Sequence, residues 1–295
     1  MPRSDPHRIQ AHLKALVGDR HPSTAPSKLR HTEAYIADQF RRTGLSVAFH
    51  SFKALGSTYR NVIGIPKASA PPRRGTPTSP PLIIAAHYDT VPNSPGADDN
   101  ASGLAVMLEA ARMLTTIPLN GEIRFIAFCL EEENLLGSLA YVAQLKAAGQ
   151  ALTGAIVLEC VGFTSSQEGS QQKPPGVPIP VPSTGDFLAV IGNTASSTLV
   201  AGCEAAVKAQ VADLKTVPLV VPGNGEQLPD TRRSDHAAFW HHGYPAIMLT
   251  DTANFRNPNY HRSTDTIETL DPTFMTQVAN AVTVMAIGVT GRSPS

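Results

Sequence analysis

Residues 82–103 read LIIAAHYDTVPNSPGADDNASG, and the fold turns on how this stretch divides. Leu82 to Ala86 is an unbroken apolar run of strand length, the pattern of a strand buried on both faces. It stops at His87-Tyr88-Asp89, and Pro92, Asn93, Ser94, Pro95 and Gly96 then impose turns. From Gly103 onward, Leu104, Met107, Leu108, Ala111 and Leu114 recur at helical spacing. The order is strand, polar loop, helix. Open α/β sheets bind ligands beyond the carboxyl ends of their strands, which is where His87, Asp89, Asp98 and Asp99 fall.

Outward from this stretch the pattern repeats. Towards the start, Ile9, Leu13, Leu16 and Val17 mark a helix that Gly18 ends. A second helix, with Ser27 as its cap, carries Leu29, Tyr35, Ile36 and Phe40. Residues 47–53 and 59–65 are β-rich and read as an antiparallel pair. On the other side, strands are expected at 123–130, 155–158, 187–191 and 246–249, with helices at 135–148 and 196–212. Residues 163–185 and 221–233 read as loops, Ser234 as the cap of a short helix at 235–242, and Pro272 as the start of a closing helix. The alternation predicts a three-layer α/β/α sandwich around a mixed, largely parallel sheet. We expect a single domain over 1–295, with flexible ends at 1–6 and 291–295 and a Pro-rich surface loop at 67–81.

Composition narrows the class of function. Lys plus Arg equals Asp plus Glu at 24 each, so the chain shows no basic footprint for nucleic acid or an anionic membrane surface. Charged residues make up 16%, which suits a packed enzyme better than a disordered chain. Gln10, His12 and Lys14 interrupt the apolar character of the first residues, so no signal peptide is read there, and no continuous apolar run reaches the ~18 residues of a bilayer span. The expected location is cytoplasmic. Cys129, Cys160 and Cys203 are odd in number and sit in apolar patterns; they read as buried thiols.

Other strands end as the first one does. Glu131-Glu132-Glu133 follows residues 123–130, Glu159 follows 155–158, and His261 comes after the last strand. Taken singly, each has a structural explanation. A glutamate run complements a helix dipole, and aspartates cap helices. Collected at one sheet edge, so many carboxylates would repel one another. A divalent cation removes that penalty, and a mixed His/carboxylate donor set suits zinc.

The segments HYDTV, GADDNASG, EEENLLGS, LECVG and NYHRSTDT, in that order, resemble the zinc exopeptidases that include bacterial leucyl aminopeptidases and glutamate carboxypeptidase. The likeness runs from about residue 7 to about residue 290 and implies two zinc ions per chain. It assigns His87 and Glu159 to one ion, Glu132 and His261 to the other, and Asp98 as the bridge. It makes Glu131 the general base, Asp89 the group that orients His87, and the Asp98–Asp99 peptide bond cis. Asp99, Ser234 and Asp235 would support the ligands from behind. Many relatives carry Asp where this chain has Glu159. The substrate implied is a peptide with a free N-terminus, cleaved at its first peptide bond. On the same fold, a single-zinc glutaminyl cyclase and a glutamate carboxypeptidase are the alternatives. A metal-free binding protein is the alternative from another class, and this chain lacks none of the ligands or the base.

Overall fold

The computed structural model describes residues 2–67 and 79–292. Most of the expected 67–81 loop and the last three residues of the C-terminal end lie outside that range. Eight strands form one sheet: β1 (Ser46–Ala54), β2 (Ser57–Ile65), β3 (Leu82–His87), β4 (Ile123–Phe128), β5 (Gly154–Glu159), β6 (Leu188–Asn193), β7 (Thr216–Val221) and β8 (Ala246–Thr250). Their order across the sheet is β1-β2-β4-β3-β5-β8-β6-β7. The four central strands, β4, β3, β5 and β8, run parallel, while β2 and β6 flank them antiparallel. β3, β5 and β8 are buried along their whole length, as apolar runs without alternation require.

Among the described residues, seven helices cover the sheet: α1 (Pro6–Leu16), α2 (Pro26–Arg42), α3 (Gly103–Leu114), α4 (Leu136–Ala147), α5 (Ser197–Gln210), α6 (His236–His241) and α7 (Pro272–Thr290). Alternate residues of each strand face opposite layers. Ile84, Ala86, Ile156 and Leu158 join α1, α2, α3, α5 and α7 in one core. Ile83, Ala85, Ala155 and Val157 join α4 and α6 in the other. Chain connections leave β3 towards β4 through α3 and then cross to β5 through α4, on the opposite face. β3 is therefore the switch point of the sheet, where a crevice opens at the strand ends.

Several expectations need correction. The strand β7 falls partly in the region read as loop; Pro218 lies within it, which an edge strand tolerates. Ser27 does not cap α2; Ala25 stands at that position without a side-chain bond, and Pro26 begins the helix. Ser4 and Asp5, within the expected flexible end, are tied down. Ser4 is buried and bonds to Asn280 and Thr276, and Asp5 caps α1. The helix α7 has the length and apolarity of a membrane span, but it packs on α1, α3 and α5 as a core helix.

Candidate active site

Four consecutive strands deliver the site. β3 ends in His87, β5 in Glu159, β4 leads into Glu131 and Glu132, and the loop after β8 carries His261. The chain leaves three of these positions through strained backbone. Leu130, Cys160 and His261 all have positive φ (63°, 50° and 60°), a conformation that costs non-glycine residues energy and gathers at functional sites. Gly96 (φ +60°) has a different reason: a Cβ there would fall 2.4 Å from the Asp99 carbonyl oxygen and 2.7 Å from the Arg20 guanidinium.

Asp99, not Asp98, stands between the histidines. Its Oδ1 lies 3.2 Å from His87 Nε2 and its Oδ2 lies 3.0 Å from His261 Nε2. Glu159 Oε2 is 3.3 Å from His87 Nε2, and Glu132 Oε2 is 3.3 Å from His261 Nε2. Asp98 turns the other way: its Oδ1 accepts from the Gly162 amide and its Oδ2 from Asn257 Nδ2. It also faces Asp251. Burial first, and then this carboxylate pair, push Asp98 well above the ordinary carboxyl range, and Asp251 rises to about 6. Both shifts favour the protonated forms over charged ones. The cis peptide likewise joins Asp99 to Asn100, one residue later than expected.

Glu131 lies beside His87, with Oε2 at 3.8 Å from Nε2. Three donor groups result among the described residues, His87-Glu131-Glu159, Asp99-Glu159-Cys160 and Asp99-Glu132-His261, and within each the donor atoms lie within 4.8 Å of one another. The Asp89 oxygens accept from the backbone amides of Glu131 and Glu132, and Oδ1 is 3.6 Å from His87 Nδ1. Ser234 does not cap α6; its hydroxyl donates to Glu159 Oε2 at 2.7 Å. On the other side, Cys160 Sγ donates to Glu159 Oε1. Asp235 is buried and faces His87 and Ser138 with no well-formed hydrogen bond, and burial raises it to about 7.

The titratable groups of the site perturb one another strongly. Burial opposes charge on both histidines, yet the carboxylates around them win. His87 is held well above its ordinary value, chiefly by Glu131 and Glu159, and His261 is raised to about 10 by Asp99 and Glu132. Burial raises Glu131 strongly and Glu132 to about 7. Burial would also raise Asp99, but its two imidazoles hold it below the ordinary range. Both ring nitrogens of His87, Asp99 Oδ1 and Glu132 Oε1 are buried without a hydrogen-bond partner. Buried polar atoms are rarely left so; His87 Nε2 and Asp99 Oδ1 face each other at 3.2 Å, while His87 Nδ1 faces Asp89.

Sequence reasoning missed three contributors. Tyr260 stacks on His261 with ring centroids 3.8 Å apart and receives a hydrogen bond from Arg233 on its hydroxyl. A cavity beside Glu159 and Tyr260 is floored by Val177, Ile191, Leu219 and Met248; these residues come from three strands and a loop, and no local pattern joins them. The third, Arg20, is fully buried beneath the loop that carries Asp99.

Residues 61–286 match Peptidase family M28. The chain is 32% identical to the uncharacterized protein YfbL of Escherichia coli, across 95% of this chain and 87% of that protein. One segment of 89 residues, 30% of this chain and 18% of the relative, is 51% identical to aminopeptidase YwaD of Bacillus subtilis. The fold superposes on the aminopeptidase of Aneurinibacillus sp. strain AM-1 with a TM-score of 0.75 at 18% identity, covering 99% of this chain and 95% of that one. The protein belongs to peptidase family M28 and is a hydrolase of that family.

Proposed function

We propose that the chain is a zinc aminopeptidase that removes the first residue of peptides, and that His87, Asp99, Glu132, Glu159 and His261 would hold two zinc ions. The observation that carries this reading is Asp99, which turns one carboxylate oxygen to each imidazole. The orphaned donors of His87, Asp99 and Glu132 fit such ions, and imidazole with carboxylate is a zinc donor set. Zinc supplies Lewis acidity there, making water acidic near neutral pH and polarising a carbonyl.

The protein groups do the rest. Glu131 is the one carboxylate of its donor group left without a metal to bind. Burial favours its protonated form, so it accepts the proton of the attacking water and returns it to the leaving amine. Asp89 fixes the Glu131 and Glu132 amides and steadies the His87 ring. Ser234 and Cys160 hold the two oxygens of Glu159, which keeps the longer glutamate directed at His87. The acidic surroundings favour a cationic α-amine. The cavity floor of Val177, Ile191, Leu219 and Met248 favours an apolar side chain on the residue released.

A panel of aminoacyl-anilides tests this. Leucyl and methionyl substrates should turn over fastest, and their N-acetylated forms should not turn over at all. Hydrolysis of blocked peptides at the C-terminus, or ring closure of an N-terminal glutamine in place of hydrolysis, would overturn the proposal.

A further inference from the structure

Arg20 lies in the connection between α1 and α2, outside residues 61–286, which match the family. It is completely buried, yet no carboxylate accepts its hydrogen bonds. All its side-chain bonds go instead to five backbone carbonyls. Nε donates to Tyr88, Nη1 to Leu16, Gly18 and Pro95, and Nη2 to Gly96, at 2.9 to 3.0 Å. Its own amide donates to the Thr90 hydroxyl, and the Gly18 amide to the Pro95 carbonyl. Tyr88 follows His87, and Gly96 comes three residues before Asp99. A single rigid guanidinium thus spans the two ends of the loop that separates His87 from Asp99.

The next residue reaches the other glutamates. His21 Nδ1 accepts from the Ser23 and Thr24 amides, so its Nε2 carries the hydrogen and donates to Glu133 Oε1 at 3.2 Å. Glu133 directly follows Glu132. Residues 18–24 therefore touch both loops that bear the site.

We infer that Arg20 is a positioning residue of the metal centre, which sets the separation of His87 and Asp99 and so the affinity for the ions. The inference rests on the dizinc reading above. Lysine in its place keeps the charge but cannot serve carbonyls on both sides of the loop, because its donors share one nitrogen. Metal affinity depends on donors being held in place, and supporting contacts of this kind are worth about 10–100-fold.

The test measures zinc affinity by competition with a chromogenic chelator, alongside melting temperatures with and without zinc, for the wild type, Arg20→Lys and Thr90→Val. Arg20→Lys should weaken zinc binding about 10-fold or more and shrink the rise in melting temperature on adding zinc. Thr90→Val, which keeps the guanidinium and loosens only the backbone link, should shift affinity in the same direction by less than about 10-fold; it decides the matter should the lysine variant not fold. A purely structural Arg20 would lower the melting temperature of metal-free and zinc-loaded protein equally and leave zinc affinity unchanged, and that result overturns the inference. A wild type that takes up no zinc overturns the dizinc reading and this inference together.

Discussion

Asp98 and Asp99 are neighbours in the chain and serve opposite sides of one turn. Asp99 points its two oxygens at His87 and His261, while Asp98 points its own at Gly162 and Asn257. Asp265 fixes the arrangement from behind, one oxygen accepting from the Asp98 amide and the other from the Asp99 amide. The turn therefore has one register, and the two aspartates cannot exchange tasks without breaking both bonds.

Substitution separates them. Asp99→Asn should strip most of the zinc from both positions and abolish activity. Asp98→Asn keeps a hydrogen-bonding group beside Asn257 and removes no atom that faces either imidazole, so zinc content should stay near the wild-type level. Elemental analysis of both variants after zinc loading and gel filtration checks this. Zinc loss in Asp98→Asn with retention in Asp99→Asn would reverse the assignment.

The adjacent glutamates should also part company. Glu131→Gln removes a basic oxygen and no bridging contact, so zinc should stay bound while kcat falls by about 10²–10⁴. Glu132→Gln weakens the pair with His261, so zinc and activity should fall together, and excess zinc should restore part of each. Near-normal kcat in fully loaded Glu131→Gln would remove its role as base.

Ser234 offers a milder probe. Ser234→Ala deletes the 2.7 Å bond to Glu159 Oε2 and leaves that oxygen free to turn. Zinc affinity should drop by about 10-fold, while the melting temperature of metal-free protein stays within a few degrees. Equal zinc affinity in a competition titration would show that Cys160 alone holds Glu159.

Chelated protein should lose stability as the pH rises. His261 goes from 6.5 to about 10 on folding, so its contribution is complete below pH 6.5 and disappears as the pH passes 10. Glu132 goes from 4.5 to about 7; ionising it in the folded state becomes a cost between those two values, again destabilising towards higher pH. Both terms have the same sign. Melting temperatures of chelated protein should fall from about pH 5 to about pH 10, and zinc should flatten the curve. A chelated protein that gains stability over that range would contradict the pairing of His261 with Asp99 and Glu132.

The sequence made the architecture legible where chemistry is local. The apolar runs of β3, β5 and β8 carry no alternation, and that absence marks central strands. The glutamates and histidines at strand ends could be named because each strand stops abruptly against them. Asp98 and Asp99 could not be told apart, since both follow the same glycine and only Asn257, Asp251 and Asp265, more than a hundred residues away, decide which one turns inward. The strand β7 was hidden because Pro218 interrupts a short run of valines. Arg20 stayed invisible for another reason: an arginine in a connection reads as a solvated charge until the carbonyls around it are seen.

The wide spacing of the donors has a consequence for biosynthesis. His261 follows β8, which pairs with β5 and β6 and is the last strand among the described residues. Contacts so distant in sequence form slowly, because the chain loses loop entropy before the pairing repays it. A chain still being synthesised, with His87 to Glu159 complete but His261 not yet made, holds an acidic crevice with one histidine. On the two-zinc reading proposed above, it would gather zinc weakly and release it, and a second ion should be captured only as the finished protein closes.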